Sequence, residues 1–195
     1  MKTDVIRVTN AEGGVRAALN QVEKVAAYKG LSGKSALHLR LLTEEMMGMM
    51  RSITGEVEGK YWIEEEDGLY ALHLQVHTSM NEHKREQLIS ASSSGRNEAA
   101  KGLMGKLRSF FEPAEDSPMF YAPTDMIDGP DGYGEMIWSM YAYREQVEQY
   151  LTQEKAGAKE AWDELEKSVV SHVADDVKVS IRGRDVEMTI LKKMA

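Results

Sequence analysis

The chain has 195 residues, 42% of them hydrophobic, with four prolines, no cysteine and a formal net charge of −8. Such a composition suits one domain with a sizeable core, and the absence of thiols excludes disulfides, thiolate metal sites and thiol catalysis. The acidic balance opposes broad contact with nucleic acid or a membrane surface, both anionic, and no apolar run approaches the roughly 20 residues that span a bilayer. The first residues, MKTDVIRVTN, hold no apolar stretch long enough for a signal peptide, so a cytoplasmic protein is expected.

Asp4 to Thr9 carries Val5, Ile6 and Val8 and reads as a short strand, broken by Asn10 and Gly13-Gly14. Val15 to Tyr28 then reads as a helix closed by Gly30 as its C-cap. A second helix is expected from Ser35 to Ile53, SALHLRLLTEEMMGMMRSI, on a stripe of Leu39, Leu42, Met46, Met49 or Met50, and Ile53. Ser32 or Ser35 can cap its start, and Gly55 lies just past its end. It carries an acidic pair, Glu44-Glu45, directly before four methionines that flank a glycine.

Past Gly55 the period changes to two. Lys60–Glu66 and Leu69–His77 flank Asp67-Gly68, the strongest hairpin signal in the chain. Leu72, Leu74 and Val76 share one face, and His73 and His77 share the other. Those two histidines stand roughly 13 Å apart by strand rise, too far for one metal ion, and read as surface residues. Ser92-Ser93-Ser94-Gly95 reads as a loop, and Glu98 to Phe111 as a helix interrupted by Gly102 and Gly105. Pro113 to Gly134 holds all four prolines and reads as a surface insertion. Two helices follow, Glu135–Leu151 with Trp138, Tyr141 and Tyr143 on or beside its stripe, and Ala158–Val173. Asp176–Ile181 and Val186–Leu191 form a last hairpin. The expected fold is a two-layer α/β (α+β) sandwich, a mixed and mostly antiparallel sheet with helices on one face. It is read as one domain over 1–195, with 113–173 as an inserted loop and helical hairpin.

In this order the elements resemble the ATP-binding domain shared by histidine kinases, gyrase-type ATPases and Hsp90, the GHKL or Bergerat fold. The nearest branch in pattern is the bacterial anti-sigma-factor serine kinase. In that family the second helix carries a Glu and, one turn later, an Asn that holds the magnesium bridging the ATP phosphates. LLTEEMMGMM is similar to that motif and puts Glu45 in the acidic, catalytic place, but Met49 stands where the Asn would be, and magnesium wants oxygen ligands. Thr78-Ser79-Met80 stands where an adenine-reading Asp-x-Gly is expected. Ser94-Gly95 resembles the lid. Lys101-Gly102-Leu103-Met104-Gly105-Lys106 is similar to the glycine-rich turn whose amides take phosphate.

The resemblance therefore implies a degenerate ATP or ADP site with its magnesium ligand replaced, on the residues Glu45, Met49, Thr78, Met80, Ser94, Gly95, Lys101, Gly102, Gly105 and Lys106. A regulatory protein that binds another protein, with little or no catalysis, is the expectation. No contact with nucleic acid or membrane is expected, and a homodimer is open. The alternatives are an ATP-dependent kinase or ATPase with substituted motifs, and an unrelated enzyme using Asp116, Asp125, Asp128 and Asp131.

Overall fold

The computed structural model describes residues 1–9, 11–54, 58–77, 125–128, 134–182 and 184–194. In chain order these form β1 (Ile6–Thr9), α1 (Glu12–Tyr28), α2 (Gly33–Thr54), β2 (Glu58–Glu66), β3 (Leu69–His77), β4 (Asp125–Asp128) and β5 (Gly134–Ser139). They continue as α3 (Met140–Thr152), α4 (Ala158–Lys167), α5 (Val169–Val173), β6 (Asp176–Arg182) and β7 (Asp185–Lys193). The strands make one sheet in the order β1-β2-β3-β7-β6-β5-β4, with every pairing antiparallel.

One face of this sheet is apolar. Tyr61, Ile63, Leu72, Leu74, Val76, Trp138, Val177, Val179, Met188 and Ile190 are buried on it, alternating with partly exposed neighbours. The period of two along each strand fixes which side chains meet the helices. The helices supply Val22, Leu39, Leu42, Met46, Met50, Tyr143, Val147 and Leu165 to the same core. The architecture is the expected two-layer α+β sandwich.

Local sequence explains the joints. Asp67 and Gly68 both take positive φ, 49° and 78°, which a two-residue turn of this hairpin requires. Gly30 ends α1 at φ 61°, with the Leu31 amide donating to Ala26. The Glu64–Glu66 run, which reads as a solvated tip, is partly tied down. Glu65 accepts from the Gly68 amide and pairs with Lys29 at the end of α1. The Lys29 ammonium, then the Gly68 amide, hold the Glu65 carboxyl below its usual range.

Two expectations need correction. Glu135–Ser139 is strand, not helix: β5 runs to Ser139, whose side chain then caps α3 by accepting from the Ala142 amide. Ser139 also donates to Asp176, whose carboxylate takes the Tyr141 amide. The segment 113–173 is accordingly more than an inserted loop and helical hairpin, because β4 and β5 extend the sheet beyond β6. The helix expected over Ala158–Val173 is also divided, since Ser168 leaves helical geometry at φ −81°, ψ 122° and caps α5.

Gly14 shows how tightly α1 returns on β1. A Cβ there would overlap the backbone nitrogen and oxygen of Thr9, whereas one on Gly13 meets nothing within 4 Å. Gly14→Ala is therefore expected to cost about 1–3 kcal/mol by forcing the backbone apart. Gly13→Ala should leave stability unchanged or raised. Urea midpoints of the two variants check this, and equal midpoints would refute the close approach.

Candidate functional site

α2 is the element on which the candidate site depends. Leu39, Leu42, Met46 and Met50 lie toward the sheet, and Met47 and Met49 at the flanks are buried too, at 1% and 4% exposure. Thr43 sits inside this stripe, fully buried. Its hydroxyl donates to the Leu39 carbonyl at 2.9 Å and lies 3.0 Å from the Tyr61 hydroxyl of β2. With the Thr43 proton committed to Leu39, Tyr61 is the donor between them. Burial pushes the Tyr61 phenol well above its usual range, and the Thr43 contact opposes this only in part. A buried, satisfied pair of this kind fixes the roll of α2 on the sheet.

That roll separates the acidic pair. Glu44 is exposed and belongs to a surface ion-pair chain: Arg40 lies 3.3 Å from it and also pairs with Glu23 of α1. Glu45 is partly exposed on the helix edge, one turn before buried Met49 on the same side. It has no ion pair among the described residues. Of the residues that the sequence assigns to the site, α2 thus brings Glu45 and Met49 together. Thr78, Met80, Ser94, Gly95, Lys101, Gly102, Gly105 and Lys106 lie outside the described residues, as do Asp116 and Asp131.

Sequence reasoning missed a polar cluster on the sheet face opposite the one that packs on α2. His73 stacks on Trp62, with ring centroids 4.8 Å apart and planes 2° from parallel. Its Nδ1 lies 3.0 Å from Glu187 and 3.3 Å from Thr189 of β7, so Nδ1 carries the proton and donates to the carboxylate. Its Nε2 is buried and has no partner among the described residues. His77 makes the matching contact to Asp185 at 3.0 Å. The two histidines are as separate as strand rise requires, and each serves a cross-strand pair between β3 and β7. No group of three or more His, Asp or Glu side chains among the described residues is placed to hold a metal ion. The aromatic trio also divides: Trp138 and Tyr143 are core, while Tyr141 is 57% exposed and donates to Glu145.

No protein-family model matches the chain, and none of the curated proteins matches it. Among the described residues no helix is long and apolar enough to cross a membrane.

Proposed function

We propose that the chain is a regulatory, protein-binding relative of the anti-sigma-factor kinases, cytoplasmic, with an ATP site that has lost its magnesium ligand and does little or no catalysis. One observation carries this reading. Met49, at the position where the resemblance calls for a metal-holding Asn, is 4% exposed and packed with the core, while Glu45 one turn earlier keeps contact with solvent. A thioether is a poor partner for magnesium wherever it points, and a buried one is withdrawn from a hydrated ion altogether. The family itself rests on the sequence resemblance, and the Glu45 carboxylate, which has no ion pair among the described residues, favours the runner-up, an ATPase with substituted motifs.

Thermal unfolding with and without Mg-ATP separates the two. A ligand at about a hundred times its Kd stabilises a protein by roughly 2.7 kcal/mol. The proposed reading expects an unchanged melting temperature across millimolar Mg-ATP. A rise that grows with the logarithm of nucleotide concentration would replace it with the ATPase reading.

A further inference from the structure

Among the described residues nothing pairs with the outer side of β1, which ends the sheet. A cleft of about 790 Å³ follows that edge. Asn20, Gln21 and Lys24 of α1 wall it on the helix side, and Lys2 and Arg7 on the other. Arg7 pairs in register with Lys60, and Lys2 stands 5.5 Å over the Trp62 ring, so both belong to the sheet face opposite the buried core. Asp4 is the one acid in the lining, against three cations, in a chain of net charge −8. Lys24 is exposed and has no ion pair among the described residues. Lys2 and Arg7 pair with Glu64 and Glu58, but all four side chains are well exposed and such pairs exchange readily.

We propose that this edge docks an acidic, extended segment of another protein, which adds as a strand outside β1. Successive side chains of a strand point to opposite faces, so a segment beside β1 presents its residues alternately to Lys24 and to Lys2 and Arg7. Both walls are cationic, and an acidic run is complemented on each. The same cations repel the β1 edge of a second copy, because edge-to-edge addition would set like charges together. The proposal deepens the protein-binding reading, on which it rests for the existence of a partner, and is independent of the nucleotide site.

Fluorescence anisotropy tests it, using the full chain and a labelled peptide repeating Glu-Glu-Val, with the Lys-Lys-Val peptide as control. The Glu peptide should bind saturably, and the Lys peptide should not. Lys24→Glu, checked for folding by circular dichroism, should weaken binding by about tenfold or more, since it reverses a charge in the cleft. Binding should slow amide exchange in β1. Equal binding of the two peptides, indifference to Lys24→Glu, or protection confined to other segments would overturn the proposal. So would concentration-dependent self-association abolished by Lys24→Glu, which would assign the edge to the acidic strand β4 of a second copy. Failure here leaves the Mg-ATP result standing, and nucleotide binding there leaves this edge untouched.

Discussion

Trp138→Ala is expected to lower the free energy of unfolding by about 3–5 kcal/mol, the range for removing a large aromatic from a packed core. Trp138 is 1% exposed on the buried face of β5, opposite Val179 of β6, with its ring 6.1 Å from that of Tyr143. No neighbour can collapse into the space without moving β5, because Ser139 immediately afterwards is held by Asp176 and caps α3. Urea unfolding followed by circular dichroism gives the number. If Trp138 instead lay on the outer surface of a helix, the substitution would fall within about 0.5 kcal/mol of neutral. Such a result would remove β5 from the sheet and return Trp138 to the helix that the periodicity predicts.

The second large effect concerns Met49. Met49→Asn restores the residue type that the family resemblance calls for, and so asks whether the site is only one substitution from function. The expected result is a loss of about 3 kcal/mol. Burial of a Met side chain is forfeited, and an amide enters a core position where water cannot serve it. Mg-ATP is expected to leave the melting temperature of this variant where it was. A variant that keeps its stability and melts higher with Mg-ATP would show that this edge of α2 faces an open, wet cavity, and would make the ATPase reading the better one.

Several elements are legible in the sequence alone. The stripe along α2, the Asp67-Gly68 turn, the Gly30 cap and the closing hairpin each announce themselves through local chemistry, and the structure keeps all four. Periodicity misplaces Trp138 because Met136, Met140 and Tyr143 recur at helical steps while lying across a strand–helix joint. Period alone does not mark where one element stops. Ser139 was the available signal, a capping residue directly after a β-rich Ile-Trp pair. Thr43 was hidden for a different reason: its hydroxyl marks it as polar, yet its bonds to Leu39 and Tyr61 let it occupy the core. The pairs His73–Glu187 and His77–Asp185 span 114 and 108 positions, so they depend on strand order, which no local pattern states. For the candidate site, the sequence points to α2, on which Glu45 and Met49 do share one side, while the separation of Glu44 from Glu45 depends on where α1 and Arg40 lie.

The place of β7 in the sheet has a consequence for how the molecule is made. Among the described strands it is the last in sequence and yet the fourth of seven across, and it alone joins β1-β2-β3 on one side to β6-β5-β4 on the other. While the polypeptide is still emerging from the ribosome, β3 and β6 each present an unpaired edge with nothing between them. Joining Leu69 to Lys193 and Asp176 to Leu191 must wait until β7 itself has been made. Closure of the sheet is therefore a late, long-range event, the slow kind of β pairing. Until then the nascent chain carries two adhesive borders that invite association with other chains.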